Sequence, residues 1–341
     1  MNDIPHDLEF VPLDADDDET VGQWLDLVAE SATAGPRCAP PCNVDLVGSL
    51  RFAPPATTLD DWAVRSMGRV VGALRLALPD GAPTARVDQL LVHPGLRRRG
   101  IGRLLHGQAL QLARKHGRSV LTATVVESLP SGPPQDPGAV AFAAVTGATR
   151  SDVPSGVHQW LDLNRHDPLS GGIPATPTGY ALVTWGTIAP DEYAVPVSRL
   201  ELSLGDEPED PAGQEAETRA GYARQFETMR VGRGRRAYHT GVVHEASGRL
   251  VGYTSVSKTT GNPEYALQGM TVVHREHRGH RLGLLLKLAN LEYVLRNEPA
   301  VRLLETANAE DNRPMIAVNA AMGFEPYDRW VFWTRSVDPS D

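Results

Sequence analysis

The sequence predicts an α/β protein built from two copies of one unit. An apolar run up to Val92 passes through a tight basic turn into residues at helical spacing, which indicates a strand, a turn and a helix over 90–105. The same pattern returns over 271–286, where Val273 takes the place of Val92 at an offset of 181 residues. In both halves a predicted hairpin precedes this segment, and a further strand and a short helix follow it. A repeat of this kind is the simplest account of the whole chain.

Length and composition fit two ordinary globular domains. The chain has 341 residues, of which 41% are hydrophobic, so it can bury substantial cores and is far from a disordered composition. Its net charge of −9 argues against nucleic acid as a partner, since nucleic-acid binding favours a basic surface. Because no apolar run approaches the ~20 residues of a membrane span and residues 1–7 lack the pattern of a secretory signal, we expect a cytoplasmic protein with no membrane partner.

The two cysteines, Cys38 and Cys42, lie in a segment rich in proline and alanine. Neither a second cysteine pair nor a His-x-x-x-His motif accompanies them in the sequence, so a structural zinc site lacks ligands and we expect no metal. Two free thiols are the favoured interpretation, with a redox pair as the alternative.

In the first half, hydrophobic periodicity and turn residues predict a helix, an irregular and partly helical segment, a hairpin, a strand, a helix, a strand, a short helix and a closing strand. Acidic residues at 14–19 precede the first helix and favour its N-terminus, and an acidic patch for an amine substrate is the other interpretation of this run. The predicted bounds are 20–30, 34–60, 62–66 with 70–78, 86–92, 101–115, 120–126, 139–145 and 157–163.

Residues 165–179 show no periodicity and contain several prolines and glycines, so we place the domain boundary there and expect domains at 1–170 and 179–341. The acidic segment 201–218 is interpreted as an ordinary loop or as a lid over a substrate cleft. The second half repeats the order of the first, with a hairpin, a helix, a strand, a helix and a last strand at 238–245 with 250–257, 284–295, 301–306, 314–322 and 329–334.

The basic turn of the first half has the chemistry of an anion site. The start of a helix offers unpaired backbone N–H groups and the positive end of the helix dipole. Gly100 and Gly102 carry no side chain, so a bulky anion can approach the backbone, and Arg97, Arg98 and Arg99 add donors that match phosphate oxygens. The spacing is neither that of the dinucleotide-binding fingerprint nor that of a P-loop. It predicts a pyrophosphate site, with a plain basic surface turn as the alternative.

The run Arg97-x-x-Gly100-x-Gly102, preceded by Val92-His93-Pro94, closely resembles the acetyl-CoA loop of the GNAT acetyltransferases. The resemblance covers most of 8–335 and implies two GNAT-like domains, each with a mostly antiparallel, partly splayed sheet flanked by helices. It also implies acetyl-CoA as co-substrate, held by residues of both loops. In the first loop these are Leu91, Val92, Arg97, Arg98, Arg99, Gly100, Ile101, Gly102 and Arg103, and in the second they are Val273, Arg278, Gly279, His280, Arg281 and Gly283.

The two loops differ in how closely they fit the family pattern. In the second, Arg281 stands at the first glycine position and Arg275 replaces Pro94, so we expect coenzyme to bind best in the first half. The second half, however, has the fuller last-helix motif, which runs from Asn312 to Phe324. Tandem members of the family, including those similar to mycothiol synthase and other actinobacterial members, often keep one working site and one degenerate site.

The resemblance leaves the proton-transfer residues open. In many members a tyrosine of the last helix protonates the departing thiolate, but here that position holds Ala143 in the first half and Asn319 in the second, and neither can act as an acid. A base is needed if the acceptor amine arrives protonated. Its candidates, each of which is alternatively a surface, capping or structural residue, are Asp88, His93, Glu127, His274 and Glu305.

The resemblance further implies that two strands part at each loop and expose backbone groups to the pantetheine arm. Leu91 and Val92, with Val272 and Val273 in the second half, would supply these groups, and one N–H would hold the thioester oxygen as charge develops. The expected function is transfer of an acetyl or related short acyl group from coenzyme A to a primary amine of a small molecule. The alternatives are a transferase that uses charged tRNA and a non-catalytic module that binds coenzyme A or sequesters a substrate.

Overall fold

The computed structural model describes residues 7–33, 40–202 and 214–337. It divides into two compact units that do not follow a single cut in the chain. Unit 1 comprises Met1–His158, Ala309–Asp311 and Pro326–Asp341, and unit 2 comprises Gln159–Asn308 and Asn312–Glu325. Each unit is a mixed β-sheet flanked by helices, which confirms the predicted α/β class.

The described elements follow one another in two similar series. The strands are β1 (Glu9–Pro12), β2 (Thr57–Ser66), β3 (Arg69–Pro79), β4 (Thr84–Val92), β5 (Val120–Ser128), β6 (Thr149–Arg150), β7 (Gly156–Asp162), β8 (Tyr180–Trp185), β9 (Arg235–His244), β10 (Arg249–Thr259), β11 (Tyr265–Val273), β12 (Leu303–Ala309) and β13 (Glu325–Ser336). The helices are α1 (Asp18–Thr33), α2 (Asn43–Arg51), α3 (Ile101–Lys115), α4 (Gly138–Val145), α5 (Asp191–Leu202), α6 (Gln214–Gly232), α7 (Leu282–Asn297) and α8 (Arg313–Ala321). Short 3₁₀ turns lie at Pro94–Leu96 and Arg275–His277.

The sheet of unit 1 has the order β1-β2-β3-β4-β5-β13, with β6 beside β13. Its pairs are antiparallel except β4 with β5. Neighbouring residues of a strand point to opposite faces, and both faces are covered. Val64 and Leu74 pack with the apolar side of α3, whereas Ala63 and Ala73, one residue earlier in each strand, pack with α1 around the fully buried Trp24.

The sheet of unit 2 has the order β7-β12-β11-β10-β9-β8. It follows the same plan, with α7 on one face and α5 on the other. Val242 and Val273 pack with Leu286 of α7, whereas Tyr253 and Val272 pack in the cluster that includes residues of α5. This arrangement fixes the start of α7 at the end of β11, just as α3 starts beyond the end of β4.

The strands that close the two sheets are exchanged relative to chain order. The strand predicted at 157–163 to close the first half is β7, which lies beside β12 in the sheet of unit 2. The last strand of the chain, β13, pairs antiparallel with β5 of unit 1, from Asp328 opposite Ser128 to Ser336 opposite Val120. The expectation that the first half closes its own sheet with this strand is therefore wrong.

Most predicted helices and strands are confirmed, and α3 has the predicted bounds. The segment 34–60, predicted to be irregular and partly helical, contains the helix α2, but its last residues form the first part of β2, which was not predicted. The strand β8 and the helices α5 and α6 were not predicted. Within the acidic segment 201–218, which was predicted to be a loop, residues 201–202 belong to α5 and 214–218 to α6, while 203–213 lie outside the described residues.

The cysteine just before α2, Cys42, is a free and buried thiol, while Cys38 lies outside the described residues. Among the helices in the described ranges, none combines the length and the apolar character needed to cross a membrane.

A partly buried histidine of β9 makes the stability of unit 2 pH-dependent. The ring of His239 stacks on that of Trp185, with 5.2 Å between the ring centroids and an interplanar angle of 4°. Burial lowers the pKa of His239 to about 4. The unfolded chain therefore binds an extra proton below pH ~6.5, so the free energy of unfolding should fall by about 2 kcal/mol as the pH falls from ~6.5 to ~4.5. In a His239→Phe variant, the free energy of unfolding, measured with urea at both pH values, should fall by about 2 kcal/mol less than in the wild type. An identical pH dependence in the variant would contradict this assignment.

Candidate functional site

The predicted anion loop of unit 1 is a braced turn between β4 and α3. After β4 ends at Val92, the side chain of His93 caps the 3₁₀ turn: its Nδ1 accepts the N–H of Gly95 at 3.2 Å. Arg97 folds back, and its Nε donates to the carbonyl oxygen of Val92 at 3.3 Å. The guanidinium of Arg97 also lies 3.6 Å from a carboxylate oxygen of Asp136. Arg97, predicted as a phosphate ligand, thus also holds the loop closed.

Two residues of this loop have left-handed backbone conformations, Arg98 with φ +64° and Gly100 with φ +93°. Gly100 is the N-cap of α3, so no side chain covers the first turn of the helix from that position. Arg98, Arg99 and Arg103 are exposed at the surface around this N-terminus. The loop therefore combines the start of a helix with several cationic side chains, which is the arrangement that favours an anion.

Two predicted residues of the loop have packing roles. The side chain of Ile101 is fully buried in the core, so its backbone N–H is the part that can face a ligand. A Cβ at Gly102 would lie 3.3 Å from the ring of Phe142 on α4, so a side chain there would displace this ring by a few tenths of an ångström.

The second loop repeats this geometry almost residue by residue. Its His274 caps the turn at the N–H of Glu276, and Nε of Arg278 donates to the carbonyl oxygen of Val273 at 3.1 Å. The left-handed positions are Gly279 with φ +87° and Arg281 with φ +56°. Glycine and arginine have thus exchanged places between the loops. Because a left-handed backbone costs a residue with a side chain roughly 1–2 kcal/mol, each loop has one such strained arginine.

Histidines surround the second loop. His277, in the 3₁₀ turn, bonds through Nδ1 to the hydroxyl of Tyr180 at 2.9 Å. The ring centroid of His244 lies 4.9 Å from that of His277, and the ring centroid of His280 lies 5.8 Å from that of Tyr180. Burial lowers the pKa of His277, and the nearby His244 and His274 lower it further. His280, a predicted ligand residue, is exposed, as are Gly279 and Arg281.

The strands part beside each loop. Parallel pairing of β4 with β5 covers Thr84 to Val87, after which β4 continues to its end at the loop. The register of β4 against β3 shifts at the next residue, Asp88, and such a bulge increases strand twist. In unit 2, pairing of β11 with β12 covers Tyr265 to Leu267, and a register shift follows in the same place. A gap between two strands thus opens in each unit.

Alternation along β4 decides which backbone groups face the gap. The N–H of His93 bonds to the carbonyl of Val71 on β3, and Val92 lies opposite Gly72. The N–H of Val92 therefore points away from β3 and toward the gap, as does its carbonyl, which Arg97 occupies. Leu91, predicted to share this role, directs its backbone groups to β3 instead.

The same alternation holds in unit 2. The N–H of His274 bonds to the carbonyl of Val251, and Val273 lies opposite Gly252. Val273 therefore faces the gap, and Val272 faces β10. Next to the gap, Gly283 has more room than Gly102, because its Cβ would lie 4.0 Å from the nearest side chain, that of Val318 on α8.

A cleft of about 460 Å³ lies at the carboxyl end of β5 in unit 1. Glu127, a candidate base, is on its wall, but Arg150 binds this carboxylate at 2.6 Å and Arg329 lies 3.8 Å away. Asp136, the partner of Arg97, is also on the wall, which places the cleft next to the loop. The other residues around the cleft are Val126, Ser128, Gln135, Pro137, Val140, Ala141 and Ala144.

The remaining candidate bases also have partners. Asp88 is bound by Arg86, and His93 bonds through Nε2 to Glu30 at 2.8 Å. Glu305 accepts the hydroxyl of Tyr265, and His274 is buried in its capping role. These contacts give each candidate a structural function in the folded chain.

Sequence reasoning missed a buried polar cluster in unit 2. The ammonium of Lys287 on α7 donates to Oδ1 of Asn319, the residue at the tyrosine position of the last helix. Nδ2 of Asn319 donates to Oε1 of Gln159 at 2.6 Å, and Nδ2 of Asn308 donates to the same oxygen at 3.2 Å. The side chain of Lys287 is 1% exposed, and burial lowers its pKa to about 7. The only sequence signal was a lone lysine within the apolar run of 282–288.

Comparison with known proteins gives consistent matches over both halves. The sequence model of the acetyltransferase (GNAT) family matches residues 24–131 and 203–324. A solved tandem GNAT protein from the clavulanic acid biosynthesis pathway, determined without acetyl-CoA, is 78% identical, with a TM-score of 0.93 over 98% of this chain and 100% of that one. A GCN5-related N-acetyltransferase from Sphaerobacter thermophilus shares the fold at 16% identity, with a TM-score of 0.67 over 98% of both chains. No curated protein sequence gives a significant match.

The buried lysine predicts a pH dependence of stability in the alkaline range. Because the pKa of Lys287 is lower in the folded chain, the unfolded chain binds more protons between pH ~7 and ~10.5, and the free energy of unfolding should rise with pH across this window. Relative to a Lys287→Met variant, the wild-type chain should gain about 3 kcal/mol between pH ~7 and ~9.5. Urea unfolding of both proteins at the two pH values checks this, and parallel pH dependences would exclude the lowered pKa.

Proposed function

The chain belongs to the acetyltransferase (GNAT) family, and we propose that it transfers an acetyl or other short acyl group from acetyl-CoA to a primary amine of a small molecule. One observation carries the proposal: each unit has a parted pair of strands that ends in a basic loop at a helix N-terminus. Backbone donors for a thioester therefore lie next to donors for a pyrophosphate. A site for acetyl-CoA needs both sets of donors, whereas a site for a simple anion needs only the second.

In the first loop, the pyrophosphate would lie against the start of α3 at Gly100, with Arg98, Arg99 and Arg103 as cationic donors. Arg97 would hold the loop and contact the phosphates with its remaining N–H groups. The second loop would use Arg278, Gly279, His280, Arg281 and Gly283 in the same way. We favour the first loop for tight binding, because the side chain of Arg281 stands where the first has Gly100.

The residues facing the gap fit the chemistry of a thioester, which acetyl-CoA would supply as an activated acyl group. The N–H of Val92, or of Val273 in unit 2, points into the gap and can donate to the carbonyl oxygen as negative charge develops. The parted strands hold the carbonyl carbon at a fixed place, so an amine bound beside it reacts as if at high local concentration. Since all candidate bases are paired, we assign none of them, and the reactive amine is taken to bind in its neutral form.

The acceptor is proposed to be a small amine of secondary metabolism. The 78% identical protein comes from the clavulanic acid biosynthesis pathway, and the net charge of −9 favours a cationic acceptor through long-range attraction. The same charge disfavours charged tRNA as a donor or acceptor.

Release of free thiol from acetyl-CoA tests the function directly. We expect thiol release with at least one member of a panel of primary amines, accompanied by the acetylated amine in the mass spectrum. Acetyl-CoA binding without thiol release for any amine would instead indicate a coenzyme-binding or sequestering module. The absence of tyrosine at Ala143 and Asn319 favours that alternative. Thiol release that requires charged tRNA would favour the other alternative.

A pair of glycine variants tests the first loop. Gly100 and Gly117 lie beyond opposite ends of α3, both with left-handed backbone. Alanine at either should lower stability by about 1 kcal/mol. Gly100→Ala should also weaken acetyl-CoA binding by about tenfold or more, measured by titration calorimetry, because its Cβ stands where the phosphates approach the backbone.

Gly117→Ala is the control, since its Cβ meets nothing within 4 Å. It should keep the affinity of the wild type. Equal affinity of both variants would move the tight site from the first loop to 272–283.

A further inference from the structure

The buried lysine of unit 2 lies where the coenzyme loop and the last helix meet. On α7, Lys287 follows Gly283 by four residues, so both lie on one face of the helix. That face meets α8, because Gly283 lies closest to Val318 and Lys287 bonds to the next residue, Asn319. The lysine therefore extends from the start of the loop helix to the tyrosine position of the last helix.

The cluster also adjoins the gap between the strands. Asn308 lies on β12 three residues beyond Glu305, the last residue paired with β11. Its amide shares the oxygen of Gln159 with Asn319. The end of β12 that borders the gap is thus hydrogen-bonded, through one glutamine, to the partner of the lysine.

The amide network fixes the direction of Asn319. Since Oε1 of Gln159 accepts N–H groups from two asparagines, Asn319 must turn its Nδ2 to Gln159 and its Oδ1 to Lys287. An ammonium has three N–H donors, and Asn319 takes one. Within the part of the chain that the structure describes, Lys287 makes no other hydrogen bond or ion pair, and its Nζ lies 5.3 Å from the centroid of the Phe324 ring.

We propose that Lys287, oriented by Asn319, is the proton donor to the departing thiolate in unit 2. It takes over the role of the tyrosine that the last helix, α8, lacks. The proposal rests on the proposed function, because it requires a coenzyme A thioester in the gap of unit 2. It assigns to Asn319 the part of a positioning residue and to Lys287 the proton transfer.

The proton transfer balances within one turnover. The amine nitrogen forms a bond to the acyl carbon, the carbon–sulfur bond breaks, and its electron pair leaves on sulfur. A proton passes from Nζ of Lys287 to the thiolate, which yields the free thiol and a neutral lysine. The acceptor nitrogen loses one proton as the amide forms, and that proton restores the ammonium through solvent. Amine and acyl thioester thus become amide and thiol.

The electrostatic surroundings suit this exchange. The amine contacts Oδ1 of Asn319 on α8 and lies over the ring of Phe324. Burial is the cause of its lowered pKa, about 7, and no charged group of the described residues contributes to this shift. An ordinary thiol has a pKa of about 8.5, so transfer from the ammonium to the thiolate is downhill. An ordinary lysine near 10.4 would hold its proton too tightly to serve as an efficient acid at neutral pH.

Unit 1 lacks this device. At the position of Asn319 it has Ala143, and the offset between the loops places His106 at the position of Lys287. The ring of His106 meets the edge of Phe142 at 6.1 Å, so an aromatic contact joins α3 to α4 there. The proposed proton donor is therefore a property of unit 2.

Kinetics of a Lys287→Met variant test the assignment. With an amine that supports thiol release, kcat should fall by about a hundredfold or more with little change in the KM for acetyl-CoA. The alkaline limb of the wild-type pH profile, which reports loss of the lysine proton at or above pH ~7, should disappear in the variant. Thermal unfolding checks that the variant folds, as methionine has a similar length.

Lys258→Met is the matched control, because Lys258 is also a buried lysine of unit 2, but it is bound to Glu298 at 3.0 Å and to the carbonyl of Pro263. It should lose stability and keep both kcat and the alkaline limb. Unchanged kcat and pH profile in folded Lys287→Met would overturn the proposal, and so would an equal loss in the control. Absence of thiol release from the wild type with every amine would instead reject the proposed function.

A measurement on the full chain without an acceptor gives an independent test. In protein labelled with ¹³C at the lysine ε-carbon, the resonance absent from Lys287→Met should titrate near pH 7. Saturation with coenzyme A should shift this titration, whereas desulfo-coenzyme A, which lacks the sulfur, should not. Equal effects of the two ligands, or none from either while coenzyme A is bound, would overturn the proposal. Failure of coenzyme A to bind the chain at all would count against the proposed function instead.

Discussion

The geometry of both candidate sites depends on one hydrogen bond, from the Nε of an arginine to the last carbonyl of a strand. Arg97 makes it to Val92 and Arg278 makes it to Val273, each five residues later in the chain. Once the strand has parted from its neighbour, that carbonyl has no ladder partner, and an unpaired polar group near the interior is costly. One side chain thus closes the turn and satisfies the carbonyl, while the strand register directs the N–H of the same valine into the gap.

The two loops keep the same backbone although their glycines differ. Both need left-handed conformations at the second and fourth residues of the turn that starts at the bracing arginine, and each places glycine at one of them and arginine at the other. A sequence motif that considers only one glycine position therefore suggests a larger difference between the backbones of the two loops than the structure has. What differs physically is the side chain at the N-cap, absent at Gly100 and cationic at Arg281. The second loop can still form an anion site, but the anion must approach beside an arginine instead of directly against the helix end.

Local patterns made much of this predictable. The bounds of α3, the hairpins and the position of both loops follow from periodicity and turn chemistry, since these depend on neighbouring residues. The exchange of closing strands does not, because nothing local in β7 or β13 specifies which sheet either strand completes. The same holds for Leu91: sequence places it next to the gap, but the register fixed by the hydrogen bond of His93 to Val71 decides that only its neighbour Val92 faces it. Lys287 was missed because a single lysine in a helix is ordinarily a surface residue.

The units differ most where the helices that flank the gap meet. Unit 1 joins them by apolar contact, with the ring of Phe142 against Gly102. Unit 2 joins them by an ammonium bonded to a buried amide, an arrangement that stabilises the fold less than an apolar contact of similar volume. A group that lowers stability and is nevertheless held by an ordered network of Asn319, Gln159 and Asn308 is difficult to explain by packing alone. Such local conflicts between stability and side-chain chemistry concentrate at functional sites, where a titratable group in an apolar setting has a pKa matched to proton transfer near neutral pH. The fuller last-helix motif of the second half and its weaker loop are then compatible, because anion binding and proton transfer place their demands on different residues.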